Sequence, residues 1–379
     1  MKNFDYIIIG AGASGLMMAY RMSKDVFFDD KNILILDKEK KNQNDRTWCY
    51  WEDKNDEWQD IVSKTWNTII FKSDIYSTQE SIAPYQYKMI RSSNFYTKIW
   101  NQLELKSNIT FKKADVTHVN QLDNIAEVVT TEQVYTSSTV LNSVLFSNDY
   151  KQQSEYPLIQ QHFVGFFIKT EENVFDDSAA TFMDFTVSQK GNTRFMYILP
   201  YTKNEALFEY TLFSKDLLSY DDYVIEIEKY LSEKNITDYE IIEKEQGSIP
   251  MTSYKFWKHN SKNIIHIGTA GGWSKASTGF TFKNTTKKTA ELLIYIKANR
   301  PLTQFHKVNK FWLYDLLLLD ILSKRNELGA SIFGQMFQKN HPIKILKFLD
   351  EETTFLEDLS IQLKMPVGLF TKALLKRIF

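Results

Sequence analysis

The stretch from Phe4 to Asp37 constrains this chain more than any other. Phe4 to Ile9 reads FDYIII, an apolar run of strand length; GAGASG follows at Gly10 to Gly15; Leu16 to Met22 then continues with Leu16, Ala19 and Tyr20 on one helical face. A second apolar run, Ile33 to Leu36, ends in Asp37, which lies 22 residues after Gly15. Strand, glycine turn, helix and returning strand form the opening of a Rossmann-like α/β unit. The three glycines do different things. Gly10 permits the tight turn, Gly12 lets the backbone approach a pyrophosphate, and Gly15 lets the helix pack on the strand. The unpaired N–H groups of the helix N-terminus then face the phosphates, and Asp37 is placed to accept hydrogen bonds from an adenosine ribose. The segment therefore predicts dinucleotide binding.

Only 13 glycines occur in 379 residues, and seven of them fall in two short segments. The second segment starts after the strand-like NIIHI of Asn263 to Ile267 and reads GTAGGWSKASTGFTF, with Gly268, Gly271, Gly272 and Gly279 ahead of a predicted helix from about Thr281 to Ala298. A late strand, glycine turn and helix resemble the segment with which flavoproteins of the two-domain hydroxylase type close an FAD site. On that resemblance Gly279 starts a helix whose positive end lies beside the flavin and favours its anionic reduced form. Thr269 stands where such turns usually carry Asp, which puts the ribityl contact in question. Arg91, in YKMIRSSNFY, precedes a helix with Phe95, Ile99 and Leu103 on one face and Ser92 or Ser93 as its cap. In similar flavoproteins a basic residue at this place lies near the cofactor; a surface arginine is the alternative.

Composition narrows the function. Forty-six Lys plus Arg against 47 Asp plus Glu leave a formal charge of −1, so no basic field favours nucleic acid. The single cysteine, Cys49, rules out an internal disulfide and any multi-cysteine metal site, and no histidine has a ligand-spaced partner, so no metal is expected. No apolar run reaches the roughly 18 residues of a membrane span, and the early Asp5 argues against a secretory leader. Aromatic residues make up 15% of the chain and are scattered, which suits large apolar cavities.

Further segments, in order, are RTWCYWE at Arg46 to Glu52, QHFVGFFIKT at Gln161 to Thr170, TFMDF at Thr181 to Phe185, TRFMYILPY, ALFEYTLFS at Ala206 to Ser214 and GSIPMT from Gly247. Together with the glycine segments, YKMIRSSNFY and the C-terminal FWLYDLLLLDIL and KFLDEETTFLEDL, they resemble the bacterial lycopene β-cyclases over nearly the whole chain. The resemblance implies a Rossmann-like FAD-binding domain of the two-domain hydroxylase type, an inserted antiparallel substrate-binding sheet and C-terminal helices. Residues 1–75, 95–155 and 255–300 would form the FAD-binding domain, 76–94 and 156–254 the sheet domain, and 301–379 the helical region. The spacing agrees, with strands at about Gln160 to Lys169, Ala180 to Ser188, Arg194 to Leu199 and Ala206 to Phe213, and a helix at Tyr220 to Glu233.

The implied reaction closes the linear ends of lycopene, or a related linear carotene, into β-rings without net redox change, with FAD active in its reduced form and NADPH as reductant. It needs an acid kept protonated by poor solvation, a dry cavity, and negative charge or aromatic faces beside the cation. Glu209 matches the family's acidic motif, and strand alternation puts it on one face with Leu207 and Thr211. Asp184 is a second proton-handling candidate. Glu351 and Glu352 in FLDEET look like that motif but read as solvated or capping groups. Arg46, Trp48, Tyr50 and Trp51 suit either a cavity wall or an aromatic core, and Cys49 a buried apolar position. Phe311 to Leu322 and the final helix, with Phe370, Ala373, Leu374 and Ile378 on one side, suit either helix packing or attachment to a membrane surface. The implied location is cytoplasmic, on the inner face of the cell membrane. A flavin monooxygenase or polyprenyl reductase of the same fold is the alternative function.

Overall fold

The computed structural model describes residues 2–378. The chain opens with β1 (Lys2–Ile9), α1 (Ala13–Lys24), β2 (Ile33–Asp37) and β3 (Thr47–Glu52). Next come β4 (Val62–Trp66), β5 (Thr68–Lys72), β6 (Ser77–Ser81), β7 (Gln86–Arg91) and α2 (Ser92–Leu103). Strands β8 (Ile109–Lys113), β9 (Val116–Gln121), β10 (Ala126–Thr130) and β11 (Val134–Asn142) lead to the short α3 (Asp149–Gln152). The large insert holds β12 (Ile159–Lys169), β13 (Ala179–Asp184), β14 (Thr193–Pro200), β15 (Glu205–Ser214), α4 (Tyr220–Glu233) and β16 (Glu240–Met251). The chain returns through β17 (Ile264–His266) and α5 (Phe282–Lys297). It continues with α6 (Lys310–Leu322), α7 (Gly329–Lys339), α8 (Pro342–Leu349), α9 (Phe355–Gln362) and α10 (Val367–Ile378).

The first sheet runs β8-β2-β1-β11-β10-β9, with β17 on β11. Its β8, β2, β1, β11 and β17 pair in parallel, the Rossmann-like part, while β9 and β10 form an antiparallel flap. β1 is strand rather than helix because Ile7, Ile8 and Ile9 are buried on both faces, as a central parallel strand requires. Leu16, Met17 and Ala19 of α1 pack with Ile99 of α2 and Leu292 of α5 in one core. Arg21 and Lys24 in the last turn of α1 complement its dipole.

The second sheet runs β16-β12-β15-β14-β13-β5-β6 and is antiparallel except where β13 lies parallel to β5. Its two faces follow the strand period of two. Val164, Phe166, Phe208, Tyr210 and Leu212 point outward beneath Tyr223, Ile227, Tyr230 and Leu231 of α4. Phe167, Leu207 and Phe213 point inward, toward Phe333, Met336 and Phe337 of α7. Helix α4 begins at a capping box of Ser219 and Asp222, a device worth about 1 kcal/mol. A three-stranded sheet, β3-β7-β4, lies outside both large sheets.

Several expectations shift. β5, assigned above to the nucleotide segment 1–75, pairs with the substrate-side sheet. β13 stops at Asp184 instead of reaching Ser188, because Asp184 Oδ1 turns back to accept from the Thr186 N–H at 3.0 Å. Neither Ser92 nor Ser93 caps α2; Arg91 occupies the cap position, and the Ser92 hydroxyl instead accepts from the N–H groups of Asp45 and Arg46 at 2.9 and 3.0 Å. The apolar α6 is core: Phe311, Leu316, Leu319 and Leu322 are buried, Asp315 pairs with Lys275 at 3.0 Å, and Asp320 holds Arg377 of α10 at 2.7 and 2.8 Å. Among the described residues no helix is long and apolar enough to cross a membrane.

Candidate active site

The two sheets meet over a cavity of about 460 Å³. Gly12, Ala13 and Ser14 form one end and Gly268, Thr269 and the Thr278–Phe282 turn a side. The inner face of the second sheet, with Gln161, Phe163, Phe182, Tyr197, Glu209 and Phe213, forms the floor.

The glycines divide into two groups. A Cβ at Gly15 would lie 1.9 Å from the Gly10 carbonyl oxygen, and one at Gly10, whose φ is +93°, would lie 2.1 Å from Ser143 Oγ, so these two serve the turn itself. A Cβ at Gly12 would meet nothing within 4 Å and would project into the cavity. Gly12 is thus free of internal packing and open toward a ligand. Asp37 ties the loop down, its Oδ2 accepting from the Ala11 N–H at 2.6 Å and its Oδ1 from the Glu39 N–H at 3.0 Å. A carboxylate has about four lone-pair sites, which leaves room for ribose hydroxyls.

The second segment is similarly divided. Gly268, Thr269 and Gly279 line the cavity; Gly271 and Gly272, grouped with them from sequence, do not. A Cβ at Gly271 would come within 2.3 Å of the His266 carbonyl oxygen, and Gly272, at φ +70°, packs on Phe256. Helix α5 starts at Phe282, three residues beyond Gly279, and its cap Thr281 makes no side-chain capping bond. Thr281, Phe282 and Thr285 lie on the cavity wall, so the uncapped N-terminal turn is directed at the contents of the cavity.

Two buried polar atoms on this wall, Gln161 Oε1 and Thr278 Oγ1, have no hydrogen-bond partner in the protein. Each orphan of this kind costs roughly 1–3 kcal/mol, a deficit that a polar ligand removes. Open glycine loop, anchored carboxylate, uncapped helix terminus and orphaned polar atoms together fit a flavin dinucleotide.

Arg91 stands apart. It is ion-paired with Glu243 of β16 and stacked 4.0 Å from the centroid of Phe167, and it does not line the cavity. RTWCYWE splits between its two readings: Arg46, Trp48 and Cys49 line the cavity, whereas Tyr50 and Trp51 are buried in the cores on either side. Burial pushes the Cys49 thiol up to about 12, which keeps it protonated and unreactive.

Glu209 lies on the floor, 8% exposed, on the same strand face as Leu207 and Thr211, as alternation predicts. Thr211 Oγ1 donates to its Oε1 at 2.7 Å. Burial first and the neighbouring Glu245 second hold its carboxyl well above the usual range, the direction that favours the protonated acid. Glu245, which sequence reasoning passed over, sits on β16 with Thr47 Oγ1 donating to its Oε2 at 2.8 Å. The signal available in advance was register: Gly165 of β12 pairs with Glu209 on one side and Glu245 on the other.

Asp184, the second acid candidate, is fully buried but off the cavity wall. It accepts from Thr186 Oγ1 at 2.6 Å and from the Tyr230 hydroxyl at 2.7 Å, so it fastens α4 to the sheet. Glu351 and Glu352 are neither capping groups nor part of this cavity; they pair with Lys275 at 2.9 Å and Lys287 at 2.7 Å. Among the described residues no cluster of three or more His, Cys, Asp or Glu is arranged to hold a metal ion.

The structure is similar to a geranylgeranyl bacteriochlorophyll reductase-like protein from Thermoplasma acidophilum, with a TM-score of 0.59, 10% identity, and coverage of 100% of this chain and 97% of that one. It is also similar to a p-nitrophenol 4-monooxygenase from Pseudomonas putida, with a TM-score of 0.58, 9% identity, and coverage of 99% and 98%. A flavin-dependent brominase matches with a TM-score of 0.59 at 13% identity, over 99% of each chain. At such identities the likeness establishes the fold, that of the two-domain flavoprotein hydroxylases. In sequence, the chloroplastic neoxanthin synthases of Solanum tuberosum and Solanum lycopersicum are each 24% identical over 296 residues, 73% of this chain. The chain spans 57% of the length of these curated relatives. The family model described as lycopene cyclase protein matches residues 5–375, and with that match running almost from end to end, the chain belongs to the lycopene cyclase family.

Proposed function

We propose that this chain is a lycopene β-cyclase: an isomerase that closes the linear ends of lycopene into β-rings, starting with proton transfer from Glu209 to a terminal alkene. The observation that carries this reading is a single buried carboxyl, its protonated form favoured by burial, on the floor of a cavity whose other walls suit a flavin dinucleotide. FAD, bound and reduced by NADPH, would supply an electron-rich neighbour for the cation. The chain's own residues do the rest. Glu209 delivers the proton; Phe163, Phe182 and Phe213 exclude water and present aromatic faces to the positive charge; loss of a ring proton restores neutrality.

A linear carotene must come from a bilayer, and the C-terminal helices offer a surface for it. Phe355, Leu356, Leu359 and Leu363 on and just after α9, and Val367, Leu375 and Ile378 on α10, are exposed, with Lys364, Lys372 and Lys376 among them. An apolar face rimmed by lysines suits peripheral attachment to an anionic leaflet, consistent with a place on the inner face of the cell membrane.

The test is anaerobic turnover of lycopene in liposomes in deuterated water. Each β-ring should gain one solvent deuterium at the carbon protonated first, while NADPH oxidation stays far below ring formation. Turnover only once oxygen is admitted, with its atom in the product, would mean a monooxygenase; NADPH consumed in step with double bonds removed would mean a polyprenyl reductase. Either overturns the reading.

A further inference from the structure

Gly165 marks an unusual place in the second sheet. It pairs with Glu209 of β15 on one side and Glu245 of β16 on the other, so both glutamates project from the same face across a residue with no side chain. A Cβ at Gly165 would lie 3.2 Å from Glu245 Cγ, 3.5 Å from Glu209 Cβ and 2.9 Å from Leu207 Cδ1. The φ of Gly165 is not in the left-handed region, so the backbone does not call for glycine here; the space does. Across that notch the two carboxyls lie close enough to act on each other's charge.

We propose that Glu209 and Glu245 form a carboxyl pair that holds one proton between them, with Glu245 as the positioning residue that keeps the proton on Glu209. The inference rests on the reading of Glu209 as the acid. The surroundings are asymmetric in the direction required. Glu209 faces the cavity, with Thr211 as its one hydroxyl donor. Glu245 lies behind it, off the cavity wall, and receives the Thr47 hydroxyl.

Other groups facing the pair are Cys49 of β3, Tyr87 and Arg91 of β7, Tyr197 of β14 and Glu243 of β16. Cys49, Tyr87 and Tyr197 are neutral, their protons held by burial, and the two tyrosine hydroxyls bond to each other at 2.5 Å. Arg91 favours the anion on Glu245 and Glu243 opposes it. Glu245 is pushed up to about 6, mainly by burial, with Thr47 and Arg91 pulling it back. Glu209 is held higher, in part by the charge of Glu245. Between these two macroscopic steps the pair carries one proton.

In the step itself, the Glu209 O–H bond and the terminal alkene π bond break, a C–H bond forms, a neighbouring double bond closes a C–C bond onto the resulting cation, and the pair briefly holds two negative charges. That charge draws a proton from the ring carbon back to Glu209, where it exchanges with solvent before the next ring forms, so protons balance and no electrons are exchanged. Repulsion within the doubly ionised pair makes this return favourable.

The experiment is a pH titration of the protonated-carboxyl stretching band by infrared difference spectroscopy on the FAD-loaded protein, with Glu209→Gln assigning the Glu209 band. In Glu245→Gln the Glu209 midpoint should fall by about one unit or more, tenfold in its acid dissociation constant, because the like charge is gone. The alkaline limb of the ring-forming pH profile should move by the same amount, and Glu245→Asp should recover part of the shift. Gly165→Ala, which wedges the carboxyls apart, should move the same band in the same direction and provides the result independently should Glu245→Gln not fold. A Glu209 midpoint unchanged in both variants overturns the pair. The band needs no turnover: a parent protein that makes no rings yet shows the shift retains the pair and loses the cyclase reading.

Discussion

A strand glutamate becomes an acid through what surrounds it. In ALFEYTLF, Glu209 is the one acidic residue among apolar neighbours, and burial makes its charged form costly. Glu209→Gln should fold, retain FAD and lose cyclisation by roughly 10²–10⁴-fold, read as ring formation per bound flavin. Asp184→Asn should leave most of the turnover, because its partners are Thr186 and Tyr230, but should cost roughly 1–3 kcal/mol of stability where a hydroxyl donor now meets an amide. Glu245 adds a pH signature. Its raised pKa means that the folded state binds the proton more tightly than the unfolded chain does. The resulting stabilisation is complete below the ordinary glutamate value near ~4.3 and is lost as pH rises through about 6. Melting temperatures of the parent should fall across that interval, and those of Glu245→Gln should fall less.

At the scale of elements, the glycine loop gives the sharpest test. Gly12 has an ordinary φ of −78° and open space at its Cβ, so Gly12→Val should fold and yet fill the place of a pyrophosphate. Loss of co-purifying flavin from an otherwise native protein is the expected outcome, and full occupancy would refute the assignment. This loop was legible in the sequence because its chemistry is local: strand, turn and helix occupy consecutive residues. The same held for α4, whose Tyr220–Glu233 span carries its own capping box, and for the face of β15 that presents Glu209. What stayed hidden depends on pairing between distant segments. Glu245 appears in EIIEKEQGSIPM as one of several alternating acids, and only the register of β12 against both neighbours puts it beside Glu209. Arg91 likewise reads as a helix-leading cation, and its pairing with Glu243 is settled by how the small sheet lies against β16. The FLDEET letters, set aside as the acid on position alone, find partners that local sequence does not reveal, the lysines of α5 and of the loop before it.

For the whole molecule, the proposed function asks the cavity and the exposed apolar helices to work on one bilayer. Leu356→Glu combined with Leu363→Glu alters side chains that are 76% and 62% exposed, so the fold should be preserved. Co-sedimentation with anionic liposomes should drop several-fold while flavin content stays constant; undiminished binding would move the membrane face elsewhere. The parallel pairing of β13 with β5 has a consequence of another kind. The strands that complete the second sheet, β5 and β6, are made before most of the nucleotide unit, and the rest of that sheet follows long after them. The molecule is therefore sewn together and not assembled from beads. A piece cut at residues 156–254 would leave β13 with a bare edge prone to aggregation, so neither half of the cavity can be inherited, swapped or expressed without the other.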